Sequence, residues 1–267
     1  MLIAEIGLNH LGQSNILSKY IKELTLTNVN AITIQVREPE FYNTKWEGFD
    51  LELHKDNYFH IKDRIHSSGK KFGIAIGDIN YINFFESLNV DFYKIIRNDI
   101  TDFKLIDKLI ETGKEVIVST GLSSNEDISK FVKYIGDNKN FKLNHTQLSY
   151  DIEDCNLKAI KSMKSQYGLE VSFGSHCKDI NILYMALCYE PSDILFYVKH
   201  VDNVPDSEHT INLAEVNEVV NNLNKFKTAL GTGIKKTSIN KMEETPQERA
   251  ERLKNEDADS WDNCIWG

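Results

Sequence analysis

A chain of 267 residues has room for one large α/β domain or two small ones and buries a core without disulfide staples. Its 41% apolar and 27% charged residues are those of an ordinary globular protein, and a net charge of −9 argues against nucleic acid or an anionic membrane as partner, leaving an anionic substrate to a local basic pocket. Four cysteines without a CxxC spacing, no apolar run of about 18 residues and no basic leader before the first strand point to a reduced, cytoplasmic protein with no membrane span.

Strand and helix alternate along the chain. Leu2–Leu8 reads as a strand, Asn9–Gly12 as a polar turn, and Ser14 caps a helix to about Leu26, with Ile16, Leu17, Tyr20, Ile21 and Leu24 at helical spacing. Ala31–Val36 is the second strand. Residues 37–54 form a long loop, a length usually kept for function, before a helix over Lys55–Ser67 that Gly69 stops. Strands follow at Phe72–Gly77, Phe92–Ile96, Glu115–Thr120, Phe141–His145, Glu170–Ser175 and Ile194–His200. The helices between them run from Asn80 to Leu88, Lys104 to Glu111, a capping box at Ser123–Glu126 to Ile135, Asn156 to Tyr167 and Asp179 to Tyr189, and the last covers Leu213–Leu223. Eight strands alternating with eight helices predict a single-domain (β/α)₈ TIM barrel over residues 1–235. A polar tail, 236–267, ends in Ser260–Trp266, whose two tryptophans imply docking on the barrel's own surface or on a partner subunit.

In this architecture chemistry sits at the C-terminal ends of the strands. Strand one ends in Asn9 and His10, strand two in Gln35 and Arg37, and strand three in Asp78. Strand four carries Lys94, then Arg97, Asn98 and Asp99. Strand five ends in Ser119 and Thr120, strand six in His145, strand seven in Ser175 and His176, and strand eight in Lys199 and His200. A histidine at a strand end is more often a hydrogen-bonded turn residue than a ligand. His176 and His200, however, end adjacent strands and suit one divalent ion, with carboxylates or water completing its shell. Glu5 lies inside strand one, and a buried carboxylate needs a partner, Lys94 or a metal. Lys94, Arg97, Arg37 and Lys199 form either a pocket for phosphate or carboxylate, or separate ion pairs with Glu5, Asp78, Asp99 and Asp202. His54, His60 and His66 read as surface residues.

Over about residues 2–235 the motifs resemble the sialic acid synthases and their relatives that make legionaminic and pseudaminic acids. Ile3-Ala-Glu-Ile-Gly-Leu-Asn-His-Leu-Gly12 is similar to the family's opening, and Ser119-Thr-Gly-Leu-Ser123 to its Ser-Thr-Gly-Met-Ser. His145-Thr with Glu153-Asp-Cys-Asn-Leu157 resembles its His-Cys segment running into Glu-Asp-Val-Asn-Leu. Ser175-His176 stands where the family has Ser-Asp-His, and Lys199-His200 where it has Glu-Lys-His. The resemblance implies a TIM barrel that joins phosphoenolpyruvate to an N-acetylated amino sugar with a divalent metal such as manganese or magnesium. It implies His176 and His200 as metal ligands, Lys94 and Ser119 as phosphoenolpyruvate contacts, Asp99 near the sugar, and Glu208 or Asp206 in place of the family's sugar-contacting aspartate. Glu5, Asn9 and His145 would orient water or the acceptor, while Gln35, Arg37, Arg97 and Lys199 would hold substrate.

The departures gather around the phosphate. Thr33 replaces the family's strand-two lysine, Ile74–Gly77 its Ser-Thr-Pro-Phe, Arg97 a serine, and Gly174-Ser175 its Ser-Asp. The family's C-terminal antifreeze-like domain has no counterpart. Arg37 and Arg97 offer replacement cations, although an arginine needs a different phosphate pose. Three readings follow: a divergent synthase, expected as a homodimer acting on small anionic and sugar substrates; a metal-dependent aldolase, lyase or isomerase on a sugar-derived acid; or a non-catalytic sugar-binding subunit.

Overall fold

The computed structural model describes residues 1–96, 99–235, 245 and 247–254, with the backbone only of Asp99, and its contacts divide the chain into two units, 1–230 and 231–267. In the first, eight parallel strands run in chain order: β1 Leu2–Gly7, β2 Ala31–Val36, β3 Lys71–Ile76, β4 Phe92–Ile95, β5 Glu115–Ser119, β6 Phe141–His145, β7 Val171–Gly174 and β8 Ile194–Lys199. Pairing of β1 with β8, Glu5 opposite Tyr197, closes the sheet into the expected barrel. Helices α1 Ser14–Thr25, α2 Pro39–Tyr42, α3 Asp56–Ser67, α4 Ile82–Ser87, α5 Phe103–Thr112, α6 Asn125–Ile135, α7 Lys158–Tyr167, α8 Asn181–Ala186 and α9 Val216–Leu230 complete the repeat. A two-residue strand, β9 Ile211–Asn212, pairs with the end of β8.

Strand alternation decides what faces where. Ile32, Ile34, Phe72, Ile74, Val116, Val118, Leu143, Val171, Phe196 and Val198 point outward into one continuous core shared with the helices. The opposite parity points into the barrel. At its lower end Ile3, Ala31, Phe92, Ile117 and Leu195 form a separate, closed apolar plug. The Phe92 ring fits there because β3 contributes Gly73: a Cβ at that position would lie 2.3 Å from Phe92 Cζ. One layer higher the inward positions turn polar, with Glu5, Thr33, Lys94 and Ser119 all buried. The apolar plug therefore shuts the barrel below and leaves the polar layer to open only toward the C-terminal ends of the strands.

Local departures from the sequence-based expectations have plain causes. The long loop 37–54 contains the single turn of α2, and its Leu51 and Leu53 are buried; Leu51 packs with Leu8, Leu11 and Val204 over the barrel's upper rim. The capping box of α6 uses Ser124 and Asp127, one residue along from the Ser123–Glu126 pair. The final helix starts at Val216 and runs on to Leu230, with Phe226 and Leu230 continuing the apolar spacing of Val216, Val219, Val220 and Leu223 past the expected end. In the second unit, Thr245 and Glu248 cap the helix at 247–254, with Thr245 N to Glu248 Oε2 at 2.7 Å. The tail's Trp261 and Trp266 lie outside the described residues. Cys155, Cys177 and Cys188 are free thiols, and among the described residues no helix is long and apolar enough to cross a membrane.

The fit of Phe92 against Gly73 is testable. Gly73→Ala should destabilise the barrel by about 1–3 kcal/mol, the usual cost of overpacking. The urea unfolding midpoint reads this, and an unchanged midpoint would mean the plug has slack.

Candidate active site

The polar layer opens into a cavity of about 310 Å³ at the C-terminal mouth. Glu5, Gln35, Lys94, Ser119 and His176 line it together, joined by Asn144, Thr146, Tyr197 and Asp206. These side chains come from β1, β2, β4, β5, β6 and β8 and from the loops after β6, β7 and β8.

The floor is an ion pair. Lys94 Nζ donates to Glu5 Oε2 at 2.5 Å, and neither group is appreciably exposed. Lys94, one of the two partners open to Glu5 in the sequence, is in place. Glu5 Oε1 is buried without a hydrogen bond, as is the hydroxyl of Thr33, its register partner on β2. The carboxylate thus keeps one acceptor in reserve beside the cavity, where an unsatisfied polar atom is costly unless something binds it. The Lys94 ammonium also sits 5.5 Å from the centroid of the Tyr197 ring.

The rim is built by the segment after β8. Asn9 donates from Nδ2 to the Val198 carbonyl at 3.0 Å and accepts the Asp206 N–H on Oδ1 at 3.1 Å. Its carboxamide therefore spans β8 and the returning loop rather than facing the cavity. Gly7, at φ +59°, adopts a left-handed conformation and leaves room for Asp206: a Cβ there would stand 2.8 Å from Asp206 Oδ2. His209, on the 3₁₀ turn Ser207–His209, stacks between Tyr150 and His176, with ring centroids 5.6 Å and 4.4 Å away. Burial, with lesser contributions from His209 and Lys94, pulls the His176 imidazole down to about 3; burial first, then Lys94, holds His209 at about 4. Both rings are neutral at pH 7.

Other expected site residues lie elsewhere. His145 follows the inward-facing Asn144 and so turns out of the barrel: its Nε2–H donates to the Cys155 carbonyl at 3.0 Å, its ring packs near Phe173, and burial lowers its basicity. Arg37 is tied back on its own loop, with Nε and Nη2 on the Glu38 carboxylate at 2.9 and 2.5 Å and the guanidinium 4.2 Å over Phe41. Lys199 pairs with Asp202 at 2.9 Å and reaches the Ser207 carbonyl. Glu208 is half exposed and pairs with Lys178, so Asp206 rather than Glu208 reaches the cavity. Asp78 accepts from Asn80 N–H at the start of a helical turn. Arg97 and the Asp99 side chain lie outside the described residues.

His200 bears most on the chemistry. Leu195 and Tyr197 face into the barrel, whereas Ile194, Phe196 and Val198 face the helices. Parity puts His200 with the second group. Its N–H donates to the hydroxyl of Tyr20 on α1 at 2.9 Å, and its ring meets the Tyr20 ring edge-on at 6.4 Å. His176 lines the cavity, while the His200 ring lies edge-on to Tyr20 of α1. Among the described residues, no three His, Cys, Asp or Glu side chains group closely enough to hold a metal.

Asn144, Tyr197 and Thr146 were not singled out from the sequence. Parity within β6 and β8 carries the signal for the first two, since each stands two residues from another inward position. His209 ends Val204-Pro-Asp-Ser-Glu-His209, the segment that stands where the resemblance puts Gly-Pro-Asp-His.

Two measurements follow from this geometry. Lys94→Met strands a buried carboxylate and should cost about 3–5 kcal/mol, while the double variant Glu5→Leu/Lys94→Met should recover much of that loss. Equal urea midpoints for the single and double variants would show the pair uncoupled. His10 is fully buried, and desolvation lowers it to about 4 from an unfolded value of 6.5. The unfolded chain therefore takes up a proton below pH 6.5 that the folded chain refuses until about pH 4. Stability should fall across that window by up to about 1.4 kcal/mol per pH unit from this group. His10→Gln should lose less than the parent between pH 6.5 and 4; parallel profiles would remove His10 as the cause.

Comparison with known proteins places this geometry in a family. The NeuB family model matches residues 18–235. An uncharacterised protein of Methanocaldococcus jannaschii is 31% identical over 245 residues, 88% of this chain and 73% of that protein. The N,N'-diacetyllegionaminic acid synthase of Campylobacter jejuni is 23% identical over 273 residues, 89% of this chain and 79% of that enzyme. The crystal structure of an N-acetylneuraminic acid (sialic acid) synthetase from Leptospira borgpetersenii, in complex with citrate, superposes with a TM-score of 0.80 at 26% identity, covering 96% of this chain and 90% of that one. The chain, a sialic-acid-synthase-like (β/α)₈ barrel, belongs to the NeuB family.

Proposed function

We propose that the barrel condenses phosphoenolpyruvate, or a similar enolpyruvate anion, with the aldehyde of an amino sugar or aldose. With phosphoenolpyruvate, the methylene carbon joins the aldehyde carbon, whose oxygen takes a proton from water; the hydroxide adds at the phosphate-bearing carbon, and inorganic phosphate leaves it as the keto group forms. The reading is carried by the cavity in which Glu5, Lys94, Ser119 and Asn144 meet at the mouth of a NeuB-family barrel. Lys94 supplies a positive charge to an anionic donor, and its pairing with Glu5 fixes where that charge stands. Ser119 and Asn144 offer neutral hydrogen-bonding groups on adjacent strands, paired in register. Asp206 and Tyr197 line the same cavity and suit sugar hydroxyls.

A specific observation favours a second reaction on the same site. Among the described lining residues Lys94 is the one cation, while Glu5 and Asp206 are both acids, and Thr33 stands where the resemblance puts a lysine. Such a lining suits a less highly charged donor, and an aldolase, lyase or isomerase acting on a sugar-derived acid needs no phosphate pocket.

Purified protein incubated with manganese, phosphoenolpyruvate and a panel of N-acetylated hexosamines and free aldoses separates the two. Phosphate release that requires one particular sugar supports the synthase. Absence of release across the panel, with aldol cleavage or isomerisation of a sugar acid by the same preparation, supports the alternative. Thr33→Lys adds an ammonium opposite Glu5 and should raise phosphate release only where phosphoenolpyruvate is the donor.

A further inference from the structure

Ser172 and Gly174 share the inward face of β7, since Val171 and Phe173 point out into the core beneath the helices. Both meet the side chain of Asn144 on β6. Ser172 Oγ lies 3.1 Å from Asn144 Oδ1 and 3.1 Å from the Leu143 carbonyl, and a hydroxyl has one proton to share between these two acceptors. Gly174 lies against the other end of the carboxamide: a Cβ there would stand 2.7 Å from Asn144 Nδ2. Ser172 and Asn144 are both buried. The carboxamide is therefore held by its oxygen from below, while its nitrogen rests on the bare backbone of Gly174, and Asn144 and Gly174 line the cavity together. Among the described residues nothing accepts from Nδ2, so its two N–H groups are left to what enters the cavity. Where the resemblance puts a serine, the chain has Gly174, and its own hydroxyl stands two residues deeper, behind Asn144.

We propose that Ser172 is a positioning residue of this site: its hydroxyl fixes the Asn144 carboxamide with Nδ2 turned to the cavity, Gly174 supplies the space that Nδ2 occupies, and the N–H donors so presented take an anionic oxygen of the substrate. Donors aimed in advance need no reorganisation when the anion arrives, and the bond beneath them keeps the amide from turning its carbonyl toward a negative charge. Ser119, the register partner of Asn144 on β5, lines the same cavity with Lys94. The inference rests on that cavity being the reactive site for an anionic donor, as proposed above.

The first test needs neither variant nor substrate. In isotopically labelled protein the side-chain N–H₂ signal of Asn144, assigned by its absence from Asn144→Ala, should show nuclear Overhauser contacts to the Gly174 α-protons. Contacts to the Ser172 β-protons in their place would show the carboxamide reversed and overturn the proposal. The second test is phosphoenolpyruvate binding to the full-length protein by titration calorimetry. Ser172→Ala should weaken binding by about 3–10-fold, the range of one neutral hydrogen bond. Binding equal to the parent's would overturn the role of the hydroxyl. Gly174→Ser crowds Nδ2 and should weaken binding by about 10-fold or more, the effect of a displaced contact group. The double variant Ser172→Gly/Gly174→Ser empties the space beneath Asn144, lets the carboxamide settle back, and should bind more tightly than Gly174→Ser alone, a rescue that general loss of stability does not produce. A double variant no better than Gly174→Ser would overturn the pairing. A parent protein that binds no phosphoenolpyruvate removes that donor from the proposed reaction, and the Overhauser pattern then decides by itself whether Ser172 sets the direction of Asn144.

Discussion

Glu5 and Lys94 are charges set inside a barrel, and the rest of the site depends on their being matched to each other. Each alone would cost several kcal/mol to bury, and together they are tolerated because the geometry is close and the layer beneath them is dry. That dryness comes from Ile3, Ala31, Phe92, Ile117 and Leu195. The plug closes the barrel from below, Gly73 makes space for its largest ring, and the pair can be reached only from the strand ends. The lower half of the barrel thus keeps water from the floor of the upper half, which strengthens every electrostatic contact made there.

The fold was legible because a parallel barrel writes itself as short apolar strands separated by helices of regular length, and the outward faces of those strands are uniformly branched or aromatic. The inward faces were harder, because a strand end was read as a point on the rim rather than as a side of the sheet. Glu5, Lys94, Ser119, Gln35 and His176 share the inward parity and meet at one cavity. His145 and His200 stand one residue off that parity and turn to the helices. A shift of one residue exchanges the faces of a strand, so a motif matched by spacing alone brings a histidine to the right height on the wrong side. Arg37 is drawn aside for another reason: the adjacent Glu38 carboxylate takes its Nε and Nη2, and Phe41, four residues on, packs under its guanidinium.

What was least legible is the segment between β8 and β9. Its position depends on contacts far apart in sequence. Asn9 fastens the Asp206 backbone to β8, Gly7 withdraws to admit the Asp206 carboxylate, and the His200 N–H anchors the start of the segment to Tyr20. The opening motif of the chain, Gly7-Leu8-Asn9, is therefore read as architecture for a loop almost two hundred residues away. Asn9 places Asp206 beside the cavity, with its own carboxamide turned to β8 and the returning loop.

This arrangement also gives His200 a physical role. A backbone bond and an edge-on ring contact tie the end of β8 to α1, and the chain can then turn back over the mouth through residues 201–206. The turn ends by delivering His209 against His176. With Thr33 beside Glu5, Lys94 is the one cation among the described residues that line the cavity, and its place is set by a single buried ion pair.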